Sequence, residues 1–160
     1  MNSITKTATR RSALTCLLGL GLGAIGMAQA ATPQQLRVEV WKDPHCGCCK
    51  DWVNHLEASG FEVKVYDVGN APMRARLGIA EKLGSCHTAT VGGYAIEGHV
   101  PAKDIQRLLR EKTVAIGLTV PGMPVGSPGM DSAIYQGRKA PYDVLLIAKN
   151  GSTAVFQSYR

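Results

Sequence analysis

Three cysteines crowded into one short segment, Cys46-Gly47-Cys48-Cys49, constrain this chain more than any other feature of its sequence. They follow residues 36–41, where apolar and charged side chains alternate as in a β-strand that ends at Asp43-Pro44. They also precede residues 49–59, whose apolar positions share one helix face, with Gly60 as the stop signal. The sequence therefore predicts that the cysteines lie at a strand-to-helix turn.

The patterns that follow predict a mixed α/β fold. The expected elements after the first helix are a strand at residues 61–68, a short helix at 71–77, an antiparallel hairpin at 88–91 and 94–96, and a helix at 101–111. This order, β-α-β-α-β-β-α, matches a thioredoxin-like fold, in which a central mixed sheet is flanked by helices. We see no internal repeat.

The last third of the chain changes in composition. Residues 120–130 are so rich in Gly and Pro that neither helix nor strand is expected there. A final β-hairpin is predicted at residues 142–148 and 153–156, with its turn around Asn150-Gly151. We interpret this region as a C-terminal extension of a single domain that covers residues 31–160.

The first thirty residues predict a signal peptide. Lys6, Arg10 and Arg11 precede an uncharged apolar run at residues 14–28, and Ala28-Gln29-Ala30 fits a cleavage site. A retained membrane anchor is disfavoured because the run is short and Gly-rich. The paired arginines leave the twin-arginine and general secretion routes both open. We expect a periplasmic protein without a stable membrane anchor after cleavage.

The charge of the mature chain argues against nucleic acid as a partner. Three of the 18 basic residues leave with the signal peptide, so 15 remain against 12 acidic residues, a net charge of +3. No cluster of Lys and Arg alternates with aromatic residues.

Four cysteines remain in the mature chain, and their chemistry suggests a soft metal. Cys46 and Cys49 have C-x-x-C spacing at a predicted helix start, where the helix dipole favours the thiolate. Cys48 adds a third sulfur, and Cys86 lies in a loop that faces this turn in a thioredoxin-like layout. Sulfur selects copper(I), zinc or iron–sulfur clusters, and export favours copper over iron–sulfur. Zinc is less favoured but stays open, as does a simple core role for Cys86.

The four histidines are weighed separately. His45 and His87 each adjoin a cysteine and are candidate additional ligands, although a solvated turn residue is an equal alternative. His55 is expected on the surface of the first helix, and His99 is expected in local packing or capping.

Two methionines in the Gly/Pro segment are further candidates. Met123 and Met130 carry thioether sulfur, which binds copper(I). The alternative is that they fill gaps over the core.

Four segments occur in order along the chain: WKDPHCGCCKDW at residues 41–52, SCHTA at 85–89, IEGHVP at 96–101 and VPGMPVGSPGM at 120–130. Together they resemble the CopG-type family of periplasmic copper-resistance proteins, whose thioredoxin-like domain was long described as of unknown function. The resemblance implies a thioredoxin-like fold and a multinuclear copper(I)–thiolate cluster at Cys46, Cys48, Cys49 and Cys86. It also implies redox exchange between copper states.

The leading hypothesis is an exported copper-binding protein for copper resistance and homeostasis, with copper ions and other periplasmic copper-handling proteins as partners. The main alternative is a thiol-disulfide oxidoreductase with Cys46 as nucleophile and Cys49 as resolving thiol. A zinc-stabilised structural module is a third. Whether the chain is an enzyme is left open.

Overall fold

The structure is a computed structural model that describes residues 36–160, which lie in one compact unit, Pro33–Arg160. The predicted signal peptide at residues 1–30 lies outside the described residues. The strands are β1 Arg37–Lys42, β2 Glu62–Tyr66, β3 His87–Val91, β4 Tyr94–Glu97, β5 Gly117–Thr119, β6 Tyr142–Ile147 and β7 Thr153–Tyr159. The helices are α1 Gly47–Ala58, α2 Ala71–Arg76 and α3 Ala102–Glu111.

All seven strands form one mixed sheet in the order β2-β1-β3-β4-β5-β6-β7. The predicted order of elements is confirmed up to α3, and the fold is mixed α/β as expected. The thioredoxin-like name stays a prediction, since it rests on this order alone. β1 is an interior strand that pairs parallel with β2 and antiparallel with β3, and its Val38 and Val40 side chains are fully buried.

Helix α1 begins at Gly47, two positions earlier than the predicted residue 49. Its core contacts come from Trp52 and Leu56, which are four residues apart on one face and fully buried. The earlier start places Cys48 and Cys49 in the first helical turn, with Cys46 as the extended residue that precedes it.

The C-terminal extension continues the sheet. β5, which was not predicted, is a three-residue strand that pairs parallel with β4 and antiparallel with β6. It begins at Gly117, where a Cβ would collide with the backbone of Ala95 in β4. Glycine is depleted in strands. The close approach requires a glycine here, and that glycine makes the segment look unlike a strand in the sequence. The predicted hairpin, now β6 and β7, therefore continues the same sheet.

Residues 120–130 form neither helix nor strand, as predicted. Two short 3-10 helices, Glu81–Leu83 and Ala133–Tyr135, were not predicted. Within residues 36–160, the structure contains no helix with the length and apolar character that crossing a membrane requires.

Candidate metal centre

Four cysteine sulfurs converge at the start of α1. Cys46, Cys48 and Cys49 come from the helix start, and Cys86 directly precedes β3. The Sγ of Cys48 lies 3.6 Å from that of Cys46 and 3.8 Å from that of Cys86. All four sulfurs lie within 4.8 Å of one another. The convergence expected from the sequence is observed, and ligation by these sulfurs stays a prediction.

Two of these sulfurs are bonded to each other. Cys46 and Cys49 form a disulfide across the C-x-x-C spacing, and their Cα atoms are 5.4 Å apart. Among the described residues, Cys48 and Cys86 are free thiols, and both are partly exposed. The disulfide must be reduced before all four sulfurs can act as thiolate ligands.

The free thiol of Cys86 is partly buried and lies close to the Cys48 sulfur. Burial, and then the neighbouring charge of Cys48, raise the pKa of the Cys86 thiol from 9.0 to about 12. Cys86 is therefore a protonated thiol near neutral pH when no metal is bound. Because metals bind thiolate, a soft cation that binds there would displace this proton.

A buried carboxylate fixes the backbone just before Cys86. Glu97 is fully buried, and its Oε1 accepts hydrogen bonds from the Ser85 backbone N–H at 2.7 Å and from Arg74 Nε at 2.8 Å. Its Oε2 accepts one from the Thr88 hydroxyl at 2.6 Å. Burial raises the pKa of the Glu97 carboxyl, and these three hydrogen bonds oppose the rise. These hydrogen bonds were not predicted, because some of the residues that form them lie far apart along the chain.

Two buried imidazoles also approach the Cys86 sulfur. His99 Nε2 lies 3.1 Å from the Cys86 Sγ, and His99 Nδ1 lies 2.8 Å from the Pro128 carbonyl oxygen. His87 Nδ1 lies 3.4 Å from the same sulfur, and its ring packs on Trp52 with centroids 4.2 Å apart. Burial lowers the pKa of both imidazoles, so each is neutral near pH 7.

The structure therefore revises the expectations for the histidines. His87, a candidate ligand, lies at the site, whereas His45 is exposed and belongs to neither group of mutually close donors among the described residues. His99, expected in packing or capping, faces the Cys86 sulfur. The expected surface position of His55 is wrong, since it is half-buried and its Nε2 accepts the Ala102 backbone N–H at 3.1 Å. The segment IEGHVP at residues 96–101, one of the four that carry the family resemblance, could have indicated that His99 belongs to the site.

The two candidate methionines differ in exposure. Met123 is 52% exposed, while Met130 is buried at 7% exposure. The Met130 sulfur accepts a hydrogen bond from the Tyr135 hydroxyl at 3.5 Å. A role of either residue in metal binding stays a prediction.

The Gly/Pro segment covers the start of α1. A Cβ on Gly129 would lie 2.5 Å from the carbonyl oxygen of Cys48 and 2.8 Å from the nitrogen of Trp52. Only glycine permits this approach, and its φ of +84° also favours glycine. At the other end of the segment, Gly122 accepts a hydrogen bond from the Ser85 hydroxyl. The segment thus packs on both chain regions that supply cysteines.

Comparisons with known proteins agree with these features. Two solved structures, copper resistance protein CopG in form 1 and in form 2, each share 43% identity over 79% of this chain, with a TM-score of 0.73. The match covers 98% of the form 1 chain and 100% of the form 2 chain. A family model described as protein of unknown function, DUF411, matches residues 83–130. No curated protein matches the chain. The resemblance seen in the sequence is confirmed, and this chain belongs to the CopG family of copper resistance proteins.

Proposed function

We propose that this chain is an exported copper-binding protein that holds copper(I) in a thiolate cluster formed by Cys46, Cys48, Cys49 and Cys86. The observation that carries the proposal is the convergence of four sulfurs within 4.8 Å. Polarizable sulfur prefers soft cations, and membership in a copper resistance family favours copper(I) over zinc. The cluster would lower the concentration of free copper and so contribute to resistance.

The sulfur spacing supports shared metal ions. Two thiolates on one tetrahedral ion, with metal–sulfur distances of about 2.3 Å, stand roughly 3.8 Å apart. The measured separations are 3.6 Å for Cys46 and Cys48 and 3.8 Å for Cys48 and Cys86. The Cys48 sulfur lies within 3.8 Å of both other sulfurs, so it is placed to bridge. A bridging thiolate supports more than one copper ion in the cluster.

The reduction step determines when the full cluster can form. Two electrons and two protons convert the Cys46–Cys49 disulfide into two thiols, and copper(I) then replaces the thiol protons. The electron donor is a thiol reductant of the compartment. Exchange between copper states at this cluster, which the resemblance implies, belongs to the same proposal.

An anaerobic titration of copper(I) into the reduced chain tests the cluster. We expect more than one tightly bound copper ion per chain and fewer in Cys48→Ser, because the central sulfur is lost. His45→Gln is the matched control, since this exposed residue adjoins Cys46 without belonging to the cluster. The unreduced chain should bind fewer ions than the reduced one. Failure of the reduced chain to bind copper(I) tightly would contradict the proposal.

A second candidate function is thiol-disulfide exchange, which the Cys46–Cys49 disulfide favours. Cys46 is partly exposed and Cys49 is buried, as suits a nucleophile and a resolving thiol. A metal-free reductase assay on a small model disulfide separates the two functions. Turnover that survives Cys48→Ser and Cys86→Ser supports exchange, because that chemistry needs only the C-x-x-C pair.

The proposal includes export to the periplasm after removal of residues 1–30. The mass of the chain recovered from a periplasmic extract tests it. A chain that begins at residue 31 supports cleavage at this site, and a chain of full length contradicts it.

A further inference from the structure

The Cys86 sulfur belongs to two groups of donors. On one side it approaches Cys48, and on the other it contacts the imidazoles of His87 and His99. The three donor atoms of Cys86, His87 and His99 lie within 4.8 Å of one another. This second group offers one sulfur and two nitrogens. Such a mixed set suits a cation of intermediate softness, such as zinc, better than it suits the softer copper(I).

The orientation of His99 is that of an anchored ligand. The Pro128 carbonyl oxygen can only accept a hydrogen bond, so the His99 Nδ1 that lies 2.8 Å from it carries the proton. The unprotonated Nε2 then presents its lone pair toward the Cys86 sulfur, 3.1 Å away. Metal-binding histidines are commonly held by such a bond from the second ring nitrogen to a backbone carbonyl.

The ring of His87 is fully buried, and its Nδ1 is the nitrogen that faces the Cys86 sulfur, 3.4 Å away. Ligation through Nδ1 leaves the proton of the neutral imidazole on Nε2. The ring is held between Trp52 and His99, with centroid distances of 4.2 and 4.9 Å, so Nδ1 stays near the sulfur.

We propose that Cys86, His87 and His99 form a second metal site, for one divalent cation of the zinc class, which is available while the Cys46–Cys49 disulfide is closed. Tetrahedral zinc places sulfur and nitrogen ligands roughly 3.5 Å apart. The contacts of 3.1 and 3.4 Å approach this spacing before any metal binds. A water molecule or the Cys48 sulfur, 3.8 Å from that of Cys86, completes the coordination.

Binding at this site involves no change of oxidation state. The cation replaces the thiol proton of Cys86, which passes to solvent, and the two imidazoles bind through lone pairs. The proposal goes beyond copper(I) storage and shares only Cys86 with the four-thiolate cluster. A closed disulfide removes two thiolates from that cluster but leaves all three donors of the second site unchanged.

Cobalt(II), a spectroscopic substitute for zinc, tests the site in the unreduced chain and in the double variant Cys46→Ser/Cys49→Ser. We expect one cobalt ion per chain in both, with a sulfur-to-cobalt charge-transfer band. His99→Gln should weaken binding at least about tenfold, as losses at metal sites commonly do. His55→Gln is the matched control, because it replaces a half-buried histidine that belongs to neither donor group.

The variants need a check on folding, because His99 is fully buried. Far-UV circular dichroism of each metal-free variant provides it, and Cys86→Ser gives an independent test because it should remove the charge-transfer band. At the same zinc concentration, the thermal midpoint of the unreduced chain should rise more than that of a folded His99→Gln or Cys86→Ser variant. Cobalt binding that is absent, or that survives both substitutions, overturns the second site. Copper(I) titration of the reduced chain is a separate result, so the two proposals fail independently.

Discussion

Replacing Gly129 by alanine tests whether the Gly/Pro segment rests on the start of α1. The added Cβ would lie 2.5 Å from the carbonyl oxygen of Cys48 and 2.8 Å from the nitrogen of Trp52. Both are backbone atoms of the helix that carries Cys48 and Cys49, so neither can move without disturbing the site. The segment must shift away instead.

The expected cost has two parts. A residue with a Cβ pays about 1–2 kcal/mol to adopt left-handed backbone, such as the φ of +84° at Gly129. Forcing an extra methyl group into a packed contact costs about 1–3 kcal/mol more. Gly151 separates the two parts because its φ is +81° and no atom lies within 4 Å of the Cβ position. Gly151→Ala should therefore lose stability only through the left-handed backbone conformation.

Urea unfolding of the metal-free chain measures both variants. We expect Gly129→Ala to lower the free energy of unfolding by about 1–3 kcal/mol more than Gly151→Ala does, which is the overpacking cost. The cobalt affinity should also fall in Gly129→Ala alone, since Pro128 anchors His99. Equal destabilisation by the two substitutions would refute the close packing of this segment on α1.

Two further predictions concern buried charge. Arg74→Gln leaves Glu97 buried without its cation, so the free energy of unfolding measured in urea should fall by about 3–5 kcal/mol. Arg37→Gln is the control, because the Arg37–Glu62 ion pair lies on the surface and its loss should cost about 0–1 kcal/mol. Equal losses of stability in the Arg74 and Arg37 variants would contradict the prediction that burial of the Glu97 charge sets the cost. Burial lowers the pKa of His87 and His99 below 6.5, so only the unfolded chain takes up their protons as the pH falls. The free energy of unfolding of the metal-free chain should be highest above about pH 6.5 and should fall by up to about 1.4 kcal/mol per imidazole at pH 5.5. Equal stability above pH 6.5 and at pH 5.5 would disprove this prediction.

The elements with strong local patterns could be predicted from the sequence. β1 alternates buried and exposed side chains, and α1 places Trp52 and Leu56 four residues apart on its buried face. β5 could not be predicted, because three residues that begin with a glycine carry no periodicity. Its formation depends on the close approach of Gly117 to β4, which only the folded chain creates.

The candidate site divides in the same way. Cys46, Cys48 and Cys49 are near neighbours along the chain, so their grouping at a helix start could be predicted without a structure. The role expected for His99 was incomplete, because the atoms that orient its ring come from Pro128, 29 residues away along the chain. The buried Glu97 that fixes the Cys86 backbone was missed for the same reason.

The sequence by itself determined the type of chemistry, since cysteine sulfur prefers soft cations wherever it lies, and it determined the local strand-to-helix turn. The tertiary structure decided which donors meet. The Cys48 and Cys86 sulfurs are separated by 38 positions along the chain, and their 3.8 Å contact depends on the pairing of β1 with β3. Local periodicity records which side of a helix or strand is buried, but it holds no information about which distant segments that side will contact.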